Sequence, residues 1–109
     1  MVIKQRTRQQ YEARARIAKA LAHPSRLLIL DAVHEKERCV CELTELVGAD
    51  QSTVSKHLAI LKSAGLVSDR KVGSMTYCRN NCKCLDEFFE CMESVLRANL
   101  KAQMRVLAG

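Results

Sequence analysis

The chain has 109 residues and a formal charge of +6, with a pI near 9.2, two tyrosines, two phenylalanines and no tryptophan. That length holds one domain with a modest Ala, Leu and Val core, the material of a small helical fold that gains buried area by dimerising. No apolar run approaches the roughly 18 residues of a membrane span, and the basic balance points to a polyanionic partner, nucleic acid first.

The start "MVIKQRTRQQ" lacks the apolar stretch of a secretory signal, so a cytoplasmic protein is expected. In that reducing compartment, six cysteines predict metal binding or redox sensing rather than structural disulfides. Residues 4–22 are rich in helix formers, and Tyr11, Ala15, Ala18 and Ala22 recur at helical spacing beside Leu21. A second helix begins at Pro24, where a missing N–H costs nothing, with His23 in the N-cap position. Leu27, Leu28, Leu30, Ala32 and Val33 make it apolar on most sides and therefore central. After the polar break "HEKER", "RCVC" reads as a short extended piece and "CELTELVG" as a two-turn helix closed by Gly48.

Residues 51–64 form the clearest helix. Asp50 is a good N-cap, Val54, Leu58, Leu61 and Ala64 share one face, and Gly65 ends it. The pattern then changes to two β-prone runs around "KVGS", a hairpin with Gly73 at its tip carrying Arg70, Lys71 and Arg79. "NCKC" leads into a last helix over about residues 85–107, with an apolar stripe from Leu85 through Phe88, Met92, Leu96 and Leu100 to Leu107. The core lies elsewhere, so this stripe and part of the first helix need an outside partner, most simply a second copy of the chain.

A two-turn helix, a glycine turn and a helix with a small polar N-terminal face form a helix-turn-helix, and the hairpin after it makes a winged one. The fold class is thus mainly α with a small β-hairpin. It is a single domain over 1–109, with helix-turn-helix 41–65, wing 66–80 and dimerising segments 1–22 and 85–107. Short polar side chains let a helix N-terminus approach DNA closely, and glutamine can bond adenine through both its amide groups. The expected DNA-binding residues are Gln51, Ser52, Thr53, Ser55, Lys56, Lys62, Arg70 and Lys71. His57 is added on two equal readings, one facing DNA and the other an ordinary half-buried helix position. No catalytic cysteine arrangement or phosphate loop is present, which argues against an enzyme.

"LAHPSRLLIL", "ERCVCELTELVGADQSTVSKHLAILKSAGLV" and "KVGSMTYCRN" resemble, in that order, the ArsR/SmtB family of metal-responsive repressors over roughly residues 15–80. The resemblance implies a homodimeric winged-helix repressor that binds an inverted repeat of double-stranded operator DNA and leaves it when an inducer binds. "CVC" at this place looks like the arsenic- and antimony-sensing members. A related placement occurs in the cadmium- and lead-sensing ones.

The chemistry of the residues agrees. As(III) and Sb(III) are thiophilic, and Cd(II) and Pb(II) also favour thiolates. In an extended piece, residues two apart point to one side, so Cys39 and Cys41 can grip one ion. The arsenic-sensing pattern places a third cysteine where this chain has Thr44. Pairing of "RCVC" with "MTYC" in the wing would bring the link into reach, so Cys84, Cys82 and Cys78 are the third-ligand candidates of one composite site. Such an ion would pull the strand and the start of helix 41–47 into a new geometry and disfavour the DNA-competent dimer. Two readings stand beside it: a structural Zn(II) on Cys78, Cys82 and Cys84, and a redox or persulfide dithiol switch. Cys91, about 10 Å along the helix from Cys84, is too far to share an ion.

Overall fold

The computed structural model describes residues 5–109, in the order α1 (Arg8–Leu21), α2 (Pro24–Glu35), β1 (Arg38–Cys39), α3 (Val40–Val47), α4 (Gln51–Ser63), β2 (Val67–Val72), β3 (Met75–Asn80) and α5 (Leu85–Ala108). The expected first helix and dimerising segment extend into residues 1–4, which lie outside the described residues. α1 starts at Arg8 because Thr7 and Gln10 form a reciprocal cap. The Gln10 N–H donates to the Thr7 hydroxyl at 3.2 Å, and the Thr7 N–H donates to the Gln10 amide oxygen at 2.8 Å. His23 does cap α2, its Nδ1 accepting from the Ser25 N–H at 3.0 Å with Pro24 at the first position.

"RCVC" is extended only as far as Cys39. Val40 and Cys41 already belong to α3, because the Cys39 sulfur serves as its N-cap. The Cys39 Sγ accepts from the Glu42 N–H at 3.3 Å, and the Glu42 carboxylate accepts from the Cys39 N–H at 3.5 Å. Gly48 ends α3 at φ +73°, where a side chain would be strained, and its N–H donates to the Thr44 carbonyl. One residue separates that stop from Asp50, which caps α4 through a 2.7 Å bond from the Thr53 N–H. The interval from Gly48 to Asp50 sets the corner between the two helices.

The sheet order is β1-β3-β2, antiparallel throughout. Arg38 lies opposite Cys78 and Cys39 opposite Tyr77. β2 and β3 are joined through Gly73 and Ser74, with Val72 opposite Met75. Ile29, Leu30 and Val33 of α2 meet Leu43 of α3, Val54, Leu58 and Leu61 of α4, Leu66 just before β2, and Val67 and Cys78 of the sheet in one core. α1 adds Ala20 as its one buried residue, while Tyr11 of the expected apolar face is exposed. Leu28, expected inside, lies on the outer side of α2. α5 buries only Leu85, with Phe89 packed partly against the core, and Val95, Leu96, Leu100, Met104 and Leu107 are exposed. Among the described residues, no helix is long and apolar enough to cross a membrane.

Candidate nucleic-acid interface and thiol pairs

α3 holds α4 against the core through Leu43, and the apolar side of α4 is buried at Val54, Leu58 and Leu61. The face left outward at its N-terminal half carries Gln51, Ser52, Thr53, Ser55 and Lys56, all exposed. The Asp50 carboxylate behind them accepts from Thr53 and from the Ser52 hydroxyl at 2.9 Å. These bonds, the Thr53 ones foremost, hold its carboxyl below the ordinary value. Ser52 therefore keeps its oxygen lone pairs for a partner while its proton is engaged.

The cations are less free than the sequence suggests. Lys62 is ion-paired with Asp69 at 2.6 Å. Arg70 makes two bonds to Glu37, at 2.6 and 3.2 Å, and lies over the Tyr77 ring. That guanidinium holds the Glu37 carboxyl below its ordinary value. Lys56 and Lys71 have no acidic partner among the described residues, so they offer undivided charge to phosphate. Glu37 and Asp69 went unnoticed in the sequence because only the folded packing brings Glu37 to Arg70 of the wing and Asp69 to Lys62 of α4.

His57 takes the inward of its two readings. Its ring packs against that of His23, tilted by 47° with centroids 4.3 Å apart, and its Nδ1 lies 3.2 Å from Arg26 Nη1. Arginine can only donate, so Nδ1 accepts and the neutral ring carries its proton on Nε2. Arg26 is anchored by the carbonyls of Ala20 and Lys19. Burial, then His23 and Arg26, lower the His57 pKa below its ordinary 6.5. The unfolded chain consequently binds the proton more readily than the folded one. The His57 contribution is complete above about pH 6.5 and declines as the pH falls below it. Urea titrations between pH 7.5 and 5.5 are expected to show a loss of stability that is smaller in His57→Gln. An equal loss in both proteins would contradict this assignment.

The six cysteines separate into distinct environments. Cys39, buried, and Cys41, exposed, are joined as a disulfide, where metal binding or redox sensing was expected rather than structural disulfides. The strand-to-helix corner brings their Cα atoms to 5.3 Å, within the range a disulfide spans. Both line a cleft of about 420 Å³ between α4 and the wing, together with Gln51, Ser55, Lys62 and Met75. Cys78 is fully buried in the core, opposite Arg38 and therefore on the other face of the sheet from Cys39. Burial first, then the Asp69 carboxylate, push its thiol up to about 11. Cys82 and Cys84 pair with each other, their sulfurs 3.5 Å apart.

The composite three-thiol site does not assemble within the subunit, and no cluster of three potential metal ligands occurs among the described residues. The cause is strand direction. β3 runs antiparallel to β1, so the chain leaves Tyr77, the partner of Cys39, past Arg38 and away from Cys41. Cys82 lies five residues beyond Tyr77, about 16 Å of extended chain. The capping role of Cys39 was legible but missed: "CVCE" has the S/T-x-x-E spacing of a capping box with sulfur in place of the hydroxyl.

A family model described as bacterial regulatory protein, arsR family, matches residues 23–69, which run from the cap of α2 into β2. An uncharacterised HTH-type transcriptional regulator of Methanocaldococcus jannaschii is 41% identical over 70 residues, covering 63% of this chain and 79% of that one. The chain belongs to the ArsR family. This is a family of regulatory proteins rather than enzymes. The solution structure of a homodimeric winged helix-turn-helix DNA-binding domain of Mycobacterium bovis, a possible ArsR-family regulator, is 32% identical, with a TM-score of 0.74 over 93% of this chain and 95% of that one. The cadmium resistance regulatory protein CadC of Listeria innocua is 42% identical over 60 residues, 54% of this chain and 50% of CadC. The ArsR-family chain thus spans about half the length of that cadmium-linked relative. Its winged helix-turn-helix fold and its DNA-binding class follow from these likenesses.

Proposed function

We propose that this ArsR-family regulator is a homodimeric repressor, bound to an inverted repeat in operator DNA and released when a thiophilic species engages Cys39 and Cys41. The observation that carries the reading is the double role of the Cys39 sulfur. It caps the first helix of the helix-turn-helix and lies against the sulfur of Cys41. As(III) or Sb(III) is the favoured inducer. Cd(II) or Pb(II) is the alternative, supported by the likeness to CadC. When bound, such an ion supplies strong soft bonds to thiolate. Once the Cys39–Cys41 disulfide is reduced by a cellular thiol reductant, two thiolates of one subunit would fit it, with further positions filled from outside this thiol pair.

The chain's own residues make the switch. A Cys39 sulfur drawn away from the Glu42 N–H no longer accepts fully from it, and the reciprocal cap of α3 weakens. α3 supports α4, so the exposed Gln51–Lys56 face loses its fixed angle to the wing. The cleft beside the thiols is walled by Gln51, Ser55 and Lys62, which also belong to the proposed DNA surface. A 100-fold loss of operator affinity requires about 2.7 kcal/mol of coupling.

The disulfide between Cys39 and Cys41 favours a second reading, in which a reversible dithiol switch or persulfide chemistry at this pair controls the same strand-to-helix corner. Anaerobic, fully reduced protein on operator DNA separates the two. Arsenite, antimonite, Cd(II), Pb(II) and a persulfide donor are added in turn. Release by an ion at stoichiometric amounts is expected, and Cys39→Ser and Cys41→Ser should bind the operator but not respond. Release by the persulfide donor alone would overturn the ion reading, and a full response in both variants would remove these cysteines from the mechanism.

A further inference from the structure

Cys82 and Cys84 lie on the link from β3 to α5, outside the helix-turn-helix. Their sulfurs are 3.5 Å apart. Two thiolates on one tetrahedral centre with bonds of about 2.3 Å sit roughly 3.8 Å apart, so the pair already has close to the bite of a single soft atom. Cys84 is exposed, stands at the N-cap of α5 and makes no side-chain cap bond, so its sulfur has no structural duty there. Cys82 is half-buried against the core.

The backbone beneath the pair is fixed. The Asn80 side chain accepts from the Cys82 N–H at 3.0 Å and donates to the Cys82 carbonyl at 2.9 Å. It also meets His34 of α2, whose other nitrogen lies 3.4 Å from Asp86. The two thiols are thus held side by side on a braced loop, with one face open to solvent.

We propose that Cys82 and Cys84 form a second thiophile-binding site, separate from Cys39 and Cys41, for soft acceptors that take two thiolates. Cys78 is closed inside the core, and Cys91 is about 10 Å away along α5. Neither joins the site, which leaves the acceptor's remaining positions to solvent or to an outside ligand. Burial and the neighbouring Cys84 thiol push the Cys82 thiol up, against backbone N–H groups of Cys84 and Leu85 that favour its thiolate. With an arsenoxide, R–As=O, two S–H bonds and the As=O bond are exchanged for two As–S bonds and one water. Arsenic stays trivalent, and no oxidant is consumed.

Phenylarsine oxide is the probe. Reduced full-length Cys39→Ser/Cys41→Ser protein is titrated anaerobically and followed by intact mass and free-thiol count. Uptake of one phenylarsenic per subunit with loss of two thiols is expected, and adding Cys84→Ser should abolish it. No uptake, or uptake unchanged by Cys84→Ser, would overturn the site. Wild-type protein gives a check that does not depend on a variant folding. With the reagent bound, Cys82 and Cys84 should resist alkylation while Cys91 reacts. Alkylation of Cys82 and Cys84 at the rate of the untreated protein would also refute the proposal. Operator release is not the readout, so failure here is distinct from failure of the Cys39/Cys41 switch.

Discussion

Leu61→Ala is expected to lower the unfolding free energy by about 2–5 kcal/mol, the cost of removing a fully packed leucine side chain from a core that cannot collapse around the gap. Leu61 is completely buried on α4, in the same core as Ile29 and Leu30 of α2 and Leu43 of α3. A chain of this size has few such residues to share the load. By the usual scaling for small domains, the melting temperature should fall by at least roughly 8 °C. Ile60→Ala, one position along the same helix but 43% exposed, is the control and should change stability far less. Urea unfolding of both variants at one fixed protomer concentration measures the difference, because dimerisation makes apparent stability depend on concentration. Equal losses would mean that α4 does not pack as described.

Why the core was legible and the thiol site less so follows from the range of the interactions involved. Val54, Leu58 and Leu61 mark the buried side of α4 by spacing alone, and Asp50 and Gly48 mark helix ends through local chemistry. Thr7 and Gln10 carried an equally local signal, yet the helix was expected to start earlier because good helix formers precede them. Partners far apart in sequence left no such trace. Glu37 reaches Arg70, and His57 reaches His23 and Arg26, only once sheet register and helix packing are known. The pairing of "RCVC" with "MTYC" was correctly anticipated, but an antiparallel strand carries the following residues away from Cys41. The direction of one strand therefore turns a single three-thiol site into two pairs at opposite ends of β1. It also places Cys39 where the cap of α3 and the reach toward α4 depend on the same sulfur.

Glutamate at both Leu96 and Leu100 is expected to convert the dimer to monomer and weaken binding to a two-half-site operator by about 100-fold or more, through loss of simultaneous engagement. α5 has 24 residues, about 36 Å of helix, of which only Leu85 is buried. Phe88, Met92, Leu96, Leu100 and Met104 recur every four residues along one side, and all but Met92 are at least 40% exposed. An isolated helix of this kind is held by the apolar face it buries rather than by propensity, so a partner surface is required. The symmetrical solution is the same helix of a second copy, and in the proposed repressor that pairing would present two α4 helices to the two halves of an inverted repeat. Glutamate is nearly as good a helix former as leucine, so the substitutions test the interface and not the helix. Two carboxylates per subunit brought into that seam would lack cationic partners and oppose its closure. Arg97→Glu, on a side chain that reaches solvent and pairs with Glu93 at 3.2 Å, should leave the dimer intact and serves as the charge control. Sedimentation velocity gives the assembly state and a salt series on operator DNA gives the affinity. A double variant that still sediments as a dimer would place the interface elsewhere, with α1 and its exposed Tyr11 and Ile17 as the next surface to change.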